Sequence, residues 1–373
     1  MIYFDNAATT FPKPRNVLKG TFECMSKYCG NSGRGSHKLS IMTSEKIYET
    51  RERIANLLGI SHAENVVFTQ NATHALNLAI KTTVKPDTHV VISDMEHNSV
   101  LRPVHALSKN IGVKYSVFST YGNIEENIEK CINNNTRCVI SSLASNVIGR
   151  EVPMDILTKV CEKNKLSLIT DASQVIGHKE INLSNTPCSV LCAPGHKALF
   201  GIQGSGFAVF SDDEMRDTFI EGGSGSESLN LNMPEYLPER FEAGTLSSPS
   251  IISLGEGIKF IEKVGLKEIE EKLTRLTERC AAMISNIKNS VLYEYGNGVI
   301  SFNLNSVPAE TVSQELDKYG IYTRSGFHCA PMAHKLIGTG RIGTVRISFS
   351  YLNKLQELDE FYKVIKTVSR KYS

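Results

Sequence analysis

The sequence predicts an α/β protein: a large domain with a mostly parallel seven-stranded sheet between helices, followed by a smaller α+β C-terminal domain. Three observations carry this reading. Short apolar runs recur at 65–69, 89–93, 113–118, 137–144, 166–170, 189–193 and 206–210. Stretches with helical periodicity separate most of them, at 72–81, 100–110, 124–133 and 154–163. From 211 to about 249 the chain turns loop-rich, with Glu221-Gly222-Gly223-Ser224-Gly225-Ser226 and three prolines, which reads as a boundary or an active-site loop region. Beyond it the character changes. A long helix begins near Ser250, strands are expected at 299–304 and 344–349, and helices at 309–318 and 355–371. No internal repeat or low-complexity segment interrupts the pattern.

Composition excludes several classes of function. The 373 residues are 41% hydrophobic and 21% charged, an ordinary globular composition with room for one large and one smaller domain. The formal net charge is +2, with both signs interspersed, so neither nucleic acid nor a membrane surface is the expected partner. A small molecule is. The N-terminus carries an acid at Asp5 and no window approaches the roughly 18 uncharged residues of a membrane span, which reads as a cytoplasmic protein. Nine cysteines without a Cys-x-x-Cys pair fit reduced thiols, mostly small core residues, better than a disulfide framework or a structural zinc site; no metal is expected.

The chemistry concentrates at the ends of the predicted strands, where open α/β sheets bind ligands. Lys197 lies in Ala193-Pro194-Gly195-His196-Lys197-Ala198-Leu199-Phe200-Gly201, after an apolar run, and Asp171 in Leu168-Ile169-Thr170-Asp171-Ala172-Ser173-Gln174. Pyridoxal 5'-phosphate needs a lysine to hold its aldehyde and a carboxylate facing its pyridine nitrogen, so that the ring can draw electrons from a substrate carbanion. Taken singly, a lysine after a turn is usually a surface lysine and an aspartate before a helix usually a cap. Three further segments change that weighting. Thr69-Gln70-Asn71-Ala72-Thr73 opens a helix whose free amides suit a phosphate, although any Asn cap looks the same. Glu96-His97-Asn98 places an imidazole where it can lie flat on an aromatic ring or move protons. Ser145-Asn146-Val147-Ile148-Gly149 offers an amide that could bond a ring oxygen, or a turn-forming Asn.

Two residues of the C-terminal part stand out. Cys329, in Ser325-Gly326-Phe327-His328-Cys329-Ala330-Pro331, sits in a Gly- and Pro-bracketed loop beside His328 and near Arg324, placed for mobility, exposure and thiolate formation; the bland alternative is a small packing residue. Arg346, in Thr344-Val345-Arg346-Ile347-Ser348-Phe349, lies among apolar residues of a strand. A buried guanidinium needs a partner and a substrate carboxylate is the natural one, whereas on an edge strand it would face solvent. Gly338-Thr339-Gly340-Arg341-Ile342-Gly343 matches a dinucleotide-binding string but precedes a strand, so it reads as a hairpin or loop.

Together with Asp5-Asn6-Ala7-Ala8-Thr9-Thr10, Phe241-Glu242-Ala243-Gly244-Thr245 and Arg324-Ser325-Gly326-Phe327-His328-Cys329-Ala330, these segments resemble, in order and over nearly the whole chain, the landmarks of cysteine desulfurases of the NifS/SufS type, enzymes of the class V aminotransferase fold. The resemblance implies pyridoxal-phosphate fold type I. It implies a large cofactor-binding domain over 15–248 and a small domain made of 1–14 and 249–373. It implies that Lys197 carries the cofactor, Asp171 pairs with its pyridine nitrogen and His97 stacks on its ring. Gln174 and Asn146 would address the ring oxygen and the substrate, and Ala72, Thr73 and His196 the phosphate. Thr245 would reach the phosphate of a second subunit, hence a homodimer. Arg346 would bind the carboxylate of L-cysteine, and Cys329 would accept its sulfur as a persulfide while the substrate leaves as L-alanine, the sulfur passing on to an acceptor protein. L-selenocysteine is an alternative substrate, as are a cysteine β-lyase, an aminotransferase and a low-activity sulfur-relay protein alternative activities. Pro194 departs from the family pattern, which often has a serine there for the phosphate. The short span from Cys329 to Arg346 is closer to the SufS-like branch.

Overall fold

The computed structural model describes residues 1–33, 35–211 and 216–372. Its central sheet has seven strands, in the order Val66–Thr69, Gly206–Phe210, Val190–Pro194, Ser167–Asp171, Thr136–Ser142, His89–Ser93 and Lys114–Phe118. Every pairing is parallel except those of Gly206–Phe210, which runs antiparallel to both of its neighbours. All seven predicted strands form, within two residues of the expected ends; the predicted 137–144 stops at Ser142, because Leu143 and Ala144 leave the ladder.

Parallel neighbours cannot be joined by a hairpin, so helices carry the chain back across the sheet. Ala72–Thr83, Asn98–Ile111, Ile124–Cys131 and Met154–Asn164 do this. Their starts are encoded locally: the side chains of Asn71, His97 and Asn123 accept backbone N–H groups of the first turn. Asn98–Ile111 ends at Gly112, whose φ of 73° only glycine adopts at little cost.

The C-terminal part is built on a four-stranded antiparallel sheet, ordered Arg324–Gly326, Thr344–Ser348, Val299–Leu304 and Ser290–Gly296. The strand bearing Arg346 is therefore interior, not an edge. The single long helix expected near Ser250 is two, Ser248–Val264 and Leu266–Ser285, broken at Gly265 with φ 89°. Helices Ala309–Asp317 and Leu355–Lys371 match the prediction, and Gly338–Gly343 forms turns before a strand, as its position implied. Helices Arg15–Glu23 and Lys38–Leu58 lie outside the predicted alternation and pack against Ser248–Val264. No helix among the described residues is long and apolar enough to cross a membrane.

One segment ties the two sheets together. Ile2–Tyr3 pairs parallel with Ile321–Tyr322, and Asn6 Nδ2 donates to the Ser348 carbonyl at 2.9 Å. A few residues on, the Thr9 hydroxyl donates to the His196 carbonyl at 3.1 Å and the Thr10 hydroxyl to that of Lys197 at 2.7 Å. The N-terminus thus brings Asp5 to the smaller sheet and braces the lysine turn of the larger one.

Candidate active site

The carboxyl ends of the central strands and the tip of the smaller sheet enclose one cavity of about 200 Å³. Ala72, Thr73, His97, Asn146, Asp171, Gln174, His196, Lys197, Cys329 and Arg346, all predicted from the sequence, line it. Thr245 does not. It lines a second cavity of about 430 Å³, with Arg51, Glu242 and the loop Asn31, Ser32 and Gly33.

Lys197 is presented by a closed turn: Phe200 N–H donates to its carbonyl at 2.9 Å and Gly201 N–H to that of Gly195 at 2.8 Å. Burial lowers its pKa from 10.5 to about 8; Asp171 opposes the shift, and Arg346 and Arg324 add to it. A larger fraction of the amine is therefore unprotonated and nucleophilic at neutral pH than in an ordinary lysine. Reductive trapping of Lys197 by a small aldehyde is expected to rise with pH and level off above about 8. An inflection near 10.5, read by peptide mapping of the trapped lysine, would contradict this. The sign for stability is the same: the folded state binds fewer protons than the unfolded chain between about 8 and 10.5, so this group's unfavourable contribution is relieved as pH rises through that window.

The imidazoles around it are neutral. His97 is held down to about 4, chiefly by burial, with Asp171 opposing. Its Nδ1 accepts the Ser99 N–H at 3.1 Å, which places the ring proton on Nε2. The Ser99 hydroxyl then links Nδ1 to the Thr73 hydroxyl, 2.8 Å on each side. His196 is also lowered to about 4 by burial, then by Lys197 and Lys13. Its carbonyl receives the Thr10 N–H, the Thr9 hydroxyl and Lys13 Nζ, while its Nδ1 is buried without a partner among the described residues. Asp171 is 6% exposed and accepts the Ser173 N–H at 2.9 Å.

Arg346 is fully buried. It donates to Asp5 Oδ1 at 2.7 Å and to the Asn146 carbonyl at 3.0 Å, and its Nε has no partner among the described residues. A substrate carboxylate is the partner its place in the sequence suggests; the fold supplies Asp5 first. Arg324 faces Arg346 directly across the antiparallel pair, lines the cavity, and has no acidic partner among the described residues. Like charges opposed in this way are unfavourable without an anion between them.

Cys329 is exposed at the rim, as expected. Its loop is anchored at two carbonyls: Asn98 N–H donates to that of Cys329 at 2.8 Å and Asn146 Nδ2 to that of His328 at 2.7 Å. It departs from the expectation in one respect. His328 does not assist the thiol electrostatically, because its ring is 3% exposed, bonded to Thr344 at 3.0 Å and pushed down to about 2 by burial, so it carries no charge. His328 and Cys329 both take left-handed φ, 49° and 58°, a cost of about 1–3 kcal/mol each that the anchoring bonds sustain.

Glu96 escaped the sequence reading as a functional residue. It is completely buried, accepts the Ser142 N–H at 2.8 Å and the Ser142 hydroxyl at 2.9 Å, and is pushed up to about 7 by burial. It clamps the His97 loop to the strand beside Asp171. Its place immediately before His97 was the available signal.

Lys197 and Asp171 thus stand just beyond and at the ends of adjoining strands, beside a helix N-terminus, on an α/β fold. The chain belongs to the aminotransferase class-V family, whose model matches residues 2–361. It is 30% identical to a probable cysteine desulfurase of Methanothermobacter thermautotrophicus, over 96% of this chain and 92% of that protein. It is 32% identical to a probable cysteine desulfurase of Pyrococcus abyssi, over 98% and 93%. The apo structure of a cysteine desulfurase from Thermococcus onnurineus superposes with a TM-score of 0.91 at 30% identity, covering 99% of this chain and 95% of that one.

Proposed function

We propose that the protein is a pyridoxal-phosphate-dependent cysteine desulfurase, converting L-cysteine to L-alanine and taking the sulfur onto Cys329 as a persulfide. The observation that carries this is the presence of Lys197 and the exposed thiol of Cys329 on one cavity. The names of the relatives supply the substrate.

The donor set fits the cofactor. Ala72 and Thr73 begin a helix, so their backbone amides suit a phosphate, and the orphaned Nδ1 of His196 suits the same group. Pro194 also lines the cavity and offers no donor, so the phosphate would rest on the amides and His196. Asp171 would face the pyridine nitrogen, His97 would cover the ring, and Gln174 and Asn146 would address its oxygen. When bound, the cofactor supplies a sink for electrons left on the substrate's α-carbon.

The chain's own residues do the rest. Lys197 would hold the cofactor, and its Nζ takes the substrate's α-proton, a role its lowered pKa suits. Arg346 offers its unpaired Nε–H to the substrate carboxylate, and the uncompensated charge of Arg324 steadies an anion beside it. The Cys329 thiolate attacks the substrate sulfur; the new S–S bond forms as the carbon–sulfur bond breaks, the bonding pair stays with the carbon fragment, and that fragment takes one proton at Cβ and regains one at Cα from Lys197 Nζ to become alanine. The pinned loop shortens the thiol's reach but fixes its direction.

Thr245, outside its own cavity, would reach the phosphate of a second copy in a homodimer; exposed Tyr48 and Tyr236 beside that second cavity, at 45% and 48%, suit a surface another subunit covers. A large domain over 15–248 and a small one of 1–14 with 249–373 belong to the same proposal, which the separate seven- and four-stranded sheets support. The persulfide would pass to an acceptor protein.

Alanine yield from L-cysteine, with a thiol reductant, tests the proposal. Wild type is expected to form alanine and the Cys329→Ala variant none, while the variant still forms alanine from L-selenocysteine. Equal alanine from cysteine in both proteins would overturn the role of Cys329.

A further inference from the structure

Cys24 and Cys29 lie away from the cavity, and nothing proposed so far uses them. Helix Arg15–Glu23 does not simply continue; over Cys24–Tyr28 it widens into a π-helical turn. Such turns are closed by hydrogen bonds between residues five apart, the separation of these two cysteines. The widening matters for sulfur chemistry. In a regular α-helix, with a radius of about 2.3 Å and a rise of about 1.5 Å, residues five apart point to different faces with Cα atoms roughly 8.6 Å apart. A disulfide spans about 4.4–6.8 Å. The π turn shortens that separation, and the Cys29 thiol lies close enough to act on the Cys24 thiol.

Their exposure is unequal. Cys24 is fully buried and Cys29 is open to solvent. The corner that follows is braced against helix Lys38–Leu58: Gly30 N–H reaches the Thr43 hydroxyl at 3.1 Å, and that hydroxyl bonds the carbonyls of Leu39, at 2.8 Å, and Tyr28. The turn is thus held by tertiary contacts and does not depend on a bond between the sulfurs.

We propose that Cys24 and Cys29 form a second thiol site, which low-molecular-weight disulfides oxidise to an intramolecular disulfide. The Cys29 thiolate attacks the reagent, R–S–S–R, forming Cys29–S–S–R and releasing one thiolate. Cys24 then gives up its proton and attacks the Cys29 sulfur, expelling the second thiolate. Two electrons pass from the protein to the reagent, which leaves as two molecules of thiol. The first step is the faster, since Cys29 is the accessible thiol. Cys24 is held up to about 12 by burial and then by its neighbour's charge, and capping Cys29 removes the second cause. Because the bond does not fit α-helical geometry, oxidation locks the π turn and the corner beyond it, whose residues Asn31, Ser32 and Gly33 border the cavity of Thr245.

Lys27 lies between the two cysteines, and its side chain is 64% exposed, which makes the product easy to identify. The full-length protein is incubated with oxidised glutathione, quenched with acid, alkylated and digested with trypsin. Cleavage after Lys27 separates the peptides of Cys24 and Cys29, so they remain joined only through the disulfide. The expected result is a joined pair that dithiothreitol releases and that is absent in Cys29→Ser. A Cys24→Ser variant is expected to stop at a glutathione adduct on Cys29. Wild-type protein that itself stops at that adduct, or in which Cys24 is recovered alkylated throughout, would overturn the proposal, and the Cys29→Ser control does not depend on altering a buried position.

Discussion

Arg346→Met is expected to destabilise the fold and weaken substrate binding together. The guanidinium is fully buried and bonded to Asp5, so its removal strands a carboxylate whose side chain is 21% exposed. Breaking a fully buried pair from one side costs about 3–5 kcal/mol, and the partial hydration of Asp5 brings the expected loss below that range, to about 2–3 kcal/mol. Chemical denaturation measures it. Asp5→Asn in the same chain is expected to recover part of the loss by removing the stranded charge. A double variant no more stable than the single one would show that Asp5 is not the source. The catalytic readout is separate: loss of a charged bond to the substrate carboxylate, about 1.5–3 kcal/mol, is expected to raise KM for cysteine by about 10- to 100-fold.

Lys197→Ala is expected to abolish turnover while leaving the fold intact. Lys197 is asked both to hold the cofactor and to move a proton at the α-carbon, and removing one positioned acid–base group alone slows a reaction by about 10²- to 10⁴-fold. With both tasks lost, a fall on the order of 10⁴-fold or more in kcat is expected. The lost side chain carried an unfavourable burial of charge, so thermal stability is expected to hold or rise. Borohydride treatment of cofactor-loaded protein is the independent check: label fixed at Lys197 in wild type and absent in the variant. Alanine formation at more than a few per cent of the wild-type rate would remove Lys197 from the centre of the mechanism.

The smaller-scale features followed from local pattern. Each of the seven strands of the central sheet is a short apolar run that needs no distant information to be recognised, and the Asn71 and Asn123 caps are written beside the helices they start. Helices Arg15–Glu23 and Lys38–Leu58 were harder to read. Leu18, Phe22, Leu39 and Ile41 are apolar yet 46–65% exposed, so the stripe that marks a core-facing helix is blurred. Gly265 likewise hid a break inside one periodic stretch, because a single glycine can sit inside a helix or end it.

By itself the sequence determined the order of strands and helices, the polar residues at the strand tips, and the presence of Lys197, Asp171 and Cys329, because spacing along a strand or after it fixes where those side chains emerge. Tertiary structure decided what they meet. Arg346 and its partner Asp5 are 341 positions apart. The neutrality of His328 is a matter of burial beneath its loop. Thr245 and the residues it was grouped with by motif order stand on different cavities. Charge state and partnership depend on desolvation and on contacts across chain separations that no local periodicity encodes.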